Sequence, residues 1–183
     1  SILKSKKNFP MNIVSNEFLL LLNHFFYMSP RLVKYLFDNG YSKTRLIQDL
    51  PTLGAHFKIS INDRAEKINQ FNETKELQRL NDLDISMLRY DDNHYPRMLK
   101  ELTDPPMVLF YKGDLGLLSL DAIGVVGPRK ATDYGLEATK VLVEQLRTFF
   151  CVISGLALGI DRVSHQIALS GPMSTIAILG VPF

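Results

Sequence analysis

The sequence predicts an α/β fold, a doubly wound parallel sheet that is incomplete at the C-terminus, preceded by a small all-α helical bundle domain. Three observations predict it. From Ser15 to about Leu80 apolar residues recur at three- and four-residue spacing, the period of a half-buried helix. From Ala122 onward short apolar runs alternate with helical stretches, and glycine marks each strand-to-helix junction. Between them, near Asp82, the texture changes. The predicted domains are therefore 1–82, helical and SAM-like or helix-hairpin-helix-like, and 83–183, the front part of a Rossmann-like domain.

In the front half, Phe18, Leu21, Leu22, Phe25 and Phe26 share one helix face. Ser29-Pro30 starts a second helix, because serine caps free amides and proline loses nothing at the first helical position. Gly40 ends it. A third stretch, Thr44 to Leu50, is expected to stop at Pro51, and Ser60 to cap a long helix through Ala65, Ile68, Phe71 and Leu77 toward Leu80. The piece Leu50 to Lys58 suits an interhelical turn at Gly54, ordinary or of the phosphate-holding hairpin kind.

After Asp82, Asp84 to Tyr90 alternates as a strand does, and Tyr95 to Leu102 suits one or two helical turns. Asp104-Pro105-Pro106 forces an extended turn, and Met107 to Tyr111 is a short strand closed by Gly113. Ala122 to Val126, Phe150 to Ser154 and Ser174 to Leu179 then read as strands covered on both faces. Asp133 to Thr148 and Gly159 to Leu169 are long enough to be their crossover helices. On the first of these, Glu137, Lys140, Glu144 and Arg147 form a solvated ion-pair stripe, while Ala138, Val141, Leu142 and Phe149 are expected to face the sheet.

Composition excludes several classes. A hydrophobic fraction of 46% over 183 residues builds real cores, so disorder is excluded. The net charge of +2 does not by itself announce a polyanion partner; residues 1–82 carry 12 basic and 8 acidic groups, and the remainder 9 and 11. The one cysteine, Cys151, lies in an apolar stretch and is expected to be a core thiol in a reducing cytoplasm. No apolar run approaches the roughly 18 residues that span a bilayer. Met11 is a candidate start, and the chain is expected to break off at Phe183, inside a longer fold.

The chemistry is expected at the carboxyl ends of the strands, where open parallel sheets bind ligands. The first loop, Gly127-Pro128-Arg129-Lys130-Ala131-Thr132-Asp133-Tyr134-Gly135, enters a helix whose free amides and dipole favour an anion. Arg129 adds a planar cationic fork and Lys130 a mobile charge. The second loop, Ser154-Gly155-Leu156-Ala157-Leu158-Gly159-Ile160-Asp161, offers close backbone approach at Gly155 and Gly159 and a hydroxyl at Ser154. Asp161 and His165, four apart on one helix face, are expected to hydrogen-bond each other as a structural pair; two residues do not make a metal site. Two neighbouring anion sites suit a nucleic-acid backbone. A dinucleotide cofactor is disfavoured, since neither loop reads Gly-x-Gly-x-x-Gly and no acidic residue ends the second strand.

Taken together, Tyr95-Pro96-x-x-Leu99, Asp104-Pro105-Pro106, Val108-Leu109-Phe110-Tyr111-Lys112-Gly113, Val126-Gly127-x-Arg129-x-x-Thr132-x-Tyr134-Gly135 and Ser154-Gly155-Leu156-Ala157-x-Gly159-Ile160-Asp161-x-x-x-His165-x-x-Ala168-Leu169 closely resemble the bacterial DNA-processing protein A (DprA/Smf) family. The resemblance covers about Asp91 to Gly180. It implies a cytoplasmic, non-enzymatic protein that binds and protects single-stranded DNA, helps load the RecA recombinase in natural transformation, pairs as a homodimer and uses no cofactor. By motif position it implies that Arg129 grips a DNA phosphate, that the Gly127 and Gly155 amides line the pocket and that Ser154 assists; Lys130, Thr132, Tyr134, Gly135 and Gly159 complete the expected DNA/phosphate-binding set. Two positions depart from the family pattern: Pro128 stands where serine or threonine is usual, and Leu158 where arginine is usual. The alternatives are a nucleotide-phosphate-processing enzyme using Asp161 or His165 as acid or base, and a degenerate member serving as a protein-interaction scaffold.

Overall fold

The computed structural model describes residues 14–27, 29–61 and 63–180; Met11 and Phe183 lie outside the described residues. The chain forms two compact units, Ser1–Gly113 and Asp114–Phe183.

The first unit contains α1 (Asn16–Phe26), α2 (Pro30–Asp38), α3 (Lys43–Phe57), α4 (Arg64–Gln70), α5 (Glu73–Asp82), β1 (Ser86–Arg89), α6 (Arg97–Lys100) and β2 (Val108–Tyr111). Ser15 accepts the Phe18 amide at 3.2 Å and so starts α1. That helix is central rather than one-faced: Leu19 and Leu20 are buried along with Phe18, Leu21, Leu22 and Phe26. Its second face meets Leu80 and Ile85, with Met87 and Phe110 of the antiparallel pair β1–β2. Arg89 ties that hairpin down, donating to the Val14 carbonyl at 2.6 Å and to Asp91 at 2.8 Å. These contacts join β1 and β2 to the helices in the compact unit that runs to Gly113.

Two expectations for this unit are corrected. α3 runs straight through Pro51 to Phe57, with Lys58 in the left-handed region as its cap. Burial of Leu46, Leu50, Leu53 and Gly54 on one side outweighs the hydrogen bond that proline removes. Gly54 is therefore inside a helix, and no turn of either kind forms there. The position requires glycine for packing, because a Cβ would lie 2.5 Å from Ile61 Cγ2. Second, the long helix from Ser60 is two helices. Asn72 starts the later one by accepting the Lys75 amide at 2.9 Å, and α4 begins only after Asp63.

The second unit opens with a short 3-10 helix, Leu115–Ser119, followed by β3 (Ala122–Gly124), α7 (Asp133–Leu146), β4 (Cys151–Ser154), α8 (Ile160–Ala168) and β5 (Thr175–Ala177). The strands are parallel in the order β3-β4-β5, with Ile123 beside Val152 and Val152 beside Thr175. Val143, Val152 and Ala168 form the core, with Ile123, Val125 and Ile167 packed on it. Cys151 is fully buried, which raises its thiol pKa.

Only the central strand matches the expectation of coverage on both faces; Ala122, Gly124 and Ala177 of the outer strands are exposed. The inner line of α7 is also corrected. Thr139 and Val143, four apart, are buried, whereas Val141, Leu142 and Phe149 are 53%, 58% and 70% exposed. Thr139 can occupy the inner face because its hydroxyl donates to the Gly135 carbonyl at 2.7 Å. The outer stripe forms as expected, with Lys140 on Glu137 and Arg147 on Glu144.

Candidate nucleic-acid interface

β3 and β4 release the two glycine loops at the same end of the sheet, since parallel neighbours point the same way. In the first loop Thr132 caps α7, its Oγ1 accepting the Gly135 amide at 3.1 Å. This fixes where the loop ends. Arg129 and Lys130 stand exposed before the cap and, among the described residues, neither joins an ion pair. Tyr134, in the first turn of α7, is 83% exposed.

The second loop turns its polar side chains, Ser154 and Asp161, inward. Asp161, only 6% exposed, accepts the Gly127 amide on Oδ1 at 3.4 Å and the Gly155 amide on Oδ2 at 3.1 Å. One carboxylate thus holds both loops. Gly159 makes the same junction tight: its φ is +80°, and a Cβ there would lie 2.3 Å from the Pro128 carbonyl oxygen and 2.7 Å from that of Arg129. Gly127 repeats the theme, with no room for a Cβ beside Ile160 Cγ1 at 2.5 Å. The Ile160 amide approaches the Pro128 carbonyl at 3.5 Å. The loops are interlocked, backbone against backbone.

This arrangement divides the nine positions expected at a phosphate. The side chains of Arg129, Lys130 and Tyr134 are open to solvent. The amides of Gly127, Gly155 and Gly135 already have protein acceptors, and Gly159 serves the interlock. Ser154 is 2% exposed and donates its hydroxyl to the Val125 carbonyl at 2.6 Å. Thr132 gives its oxygen to the helix cap. The two loops that sequence reasoning read as neighbouring anion sites are joined through Asp161 and Gly159, with Arg129 and Lys130 on the outer edge.

The expected Asp161–His165 hydrogen bond is likewise replaced. His165 Nδ1 lies 2.8 Å from Thr175 Oγ1, whose hydroxyl donates to the Val152 carbonyl at 2.6 Å. Thr175 therefore accepts from His165, which places the proton on Nδ1. Nε2 is left as a buried lone pair with no partner among the described residues. Burial pushes the imidazole pKa down, with Asp161 pulling weakly the other way.

Sequence reasoning also passed over the apolar rim. Val126, Leu156 and Leu158 are 77%, 57% and 64% exposed at the loop end, and Leu156 has a φ of +56°. Apolar residues inside a glycine loop are the signal that could have pointed to it. No helix among the described residues is long and apolar enough to cross a membrane, and no cluster of metal-ligating side chains occurs among them.

The sequence model of the family described as DNA recombination-mediator protein A matches residues 86–183. The chain is 35% identical over 118 residues to the DNA processing protein DprA of Streptococcus pneumoniae, covering 64% of this chain and 40% of that protein. It is 39% identical over 101 residues to the DprA of Bacillus subtilis, covering 54% and 34%. The X-ray structure of the S. pneumoniae DprA superposes with a TM-score of 0.72 at 25% identity, over 91% of this chain and 58% of that one. The chain spans less than half the length of these curated relatives. The interlocked loops and parallel strands fall wholly within the matched residues, and the chain belongs to the DNA recombination-mediator protein A family.

Proposed function

We propose that this chain acts as a mediator that binds single-stranded DNA along the outer edge of the first loop. The observation that carries the reading is the asymmetry of charge pairing in the sheet unit. Lys140 and Arg147, on the back of α7, each have a glutamate partner, whereas Arg129 and Lys130 at the loop end are exposed and unpaired among the described residues. Unpaired cations beside an exposed tyrosine and apolar rim suit a ligand with both phosphates and unstacked bases. Family membership supports a part in DNA processing and recombination. The resemblance supports the finer role: a cytoplasmic, cofactor-free homodimer that protects the strand and helps load the RecA recombinase.

Nucleotide chemistry is less well supported. Asp161 is engaged by two amides and His165 is 5% exposed, which leaves neither free to act as acid or base on a substrate. The test is fluorescence anisotropy with the full-length protein and a labelled oligonucleotide at low salt. Single strand is expected to bind better than duplex, and Arg129→Ala to weaken it. No binding, or binding indifferent to Arg129→Ala, would overturn the reading.

A further inference from the structure

The sheet unit carries five basic residues: Arg129, Lys130, Lys140, Arg147 and Arg162. Two are paired on the outer stripe and two form the loop edge. The fifth, Arg162, belongs to neither group by sequence, and nothing in the fold accounts for it. It is exposed and joins no ion pair among the described residues. Nor can its helix offer it one. The positions three and four away are Leu158, Gly159, His165 and Gln166, and adjacent Asp161 is turned inward onto the two glycine amides.

Its position is also electrostatically unfavourable. α8 runs from Ile160 to Ala168, so Arg162 lies in the first turn, where the positive end of the helix dipole repels a cation. An arginine placed for stability belongs at the other end. Yet this turn is the one that touches the first loop. Gly159, one turn and about 5 Å of helical rise before Arg162, is the residue whose missing side chain admits the Pro128 and Arg129 carbonyls.

We infer that Arg162 is a third phosphate-binding cation, extending the Arg129–Lys130 edge across the joint onto α8 so that one strand is held at successive phosphates. The inference rests on the DNA-binding reading above. Its ligand is the anionic backbone of a single strand, and Arg162 contributes by charge, with no sequence preference of its own. The cost is borne by the helix, since the same cation opposes the dipole.

The experiment is a salt titration of full-length protein with a labelled single-stranded oligonucleotide, run on wild type, Arg129→Ala, Arg162→Ala, Arg162→Lys and Lys140→Ala. Each lost phosphate contact lowers the slope of log K against log salt by about 0.7 for a single strand. Arg162→Ala is expected to lose one such step and about tenfold in low-salt affinity, while Arg162→Lys retains the slope and Lys140→Ala matches wild type. Thermal unfolding of Arg162→Ala is expected at or above the wild-type midpoint, which separates loss of contact from loss of fold. If Arg129→Ala lowers the slope and Arg162→Ala does not, the inference fails and the DNA reading stands. If neither lowers it, both fail. An equal drop for Lys140→Ala would make the effect one of overall charge and overturn the assignment.

Discussion

The first loop turns its charged side chains to solvent, while the second turns its polar groups inward. Both follow a parallel strand, both contain glycine, and both lead into a helix, so they read alike. Their difference lies in what the missing Cβ admits. At Gly159 and Gly127 it admits the other loop, not a ligand. The comparison teaches that a glycine loop at the end of a strand reports close approach without naming what approaches. In this protein the second loop is the mount, and the first carries the exposed Arg129 and Lys130.

The largest expected effect breaks the mount. Gly159 and Gly113 both have positive φ, +80° and +107°, but a Cβ at Gly113 meets nothing within 4 Å. Alanine at Gly113 is expected to cost about 1 kcal/mol, the conformational part alone. Alanine at Gly159 adds a clash with backbone and is expected to cost about 3 kcal/mol or more. Denaturant unfolding of the two variants checks this; equal losses would mean that the loops are not locked together.

Next comes Asp161→Asn. The two carboxylate oxygens serve different amides, and an asparagine offers a single acceptor, so one part-buried N–H is left facing an NH2 group. A loss of about 2 kcal/mol is expected from the same unfolding measurement. Amide exchange should rise at Gly127 or Gly155. A variant as stable as wild type would show that the carboxylate does not clasp the loops.

The sequence revealed the mount's elements better than their roles. All three strands and both crossover helices of the sheet unit lie within their expected ranges, because apolar runs and glycine punctuation are local signals. Glycine also located the joint. Its direction was not legible, because an amide that binds phosphate and an amide that binds Asp161 have the same sequence. The direction of Ser154 was illegible for the same reason: a hydroxyl at a strand end can face a ligand or, as here, the neighbouring strand's carbonyl. In the helical unit Pro51 was read as a stop because its cost is local, whereas the burial that overrides it depends on residues far along the chain.

A smaller effect sharpens the same contrast through pH. The folded-state pKa of His165 is lowered from its ordinary 6.5, so the unfolded chain takes up the proton first. Stability is therefore full above about pH 6.5 and declines as pH falls from there toward the lower folded value. Asparagine at this position keeps an N–H toward Thr175 and removes the titration. Thermal midpoints between pH 5 and 7 should fall for wild type and stay flatter for His165→Asn. Parallel curves would show that His165 does not titrate in this way.

The smallest expected effect on stability is the most telling for function. Arg129 is exposed and unpaired among the described residues, so Arg129→Ala should leave unfolding within about 0.5 kcal/mol of wild type. The central claim is that the first loop binds and the second only holds it. The direct measurement is the salt dependence of single-strand binding by Arg129→Ala, taken beside its unfolding free energy. The account predicts a slope lower by about 0.7 with unchanged stability. A slope equal to wild type would contradict it.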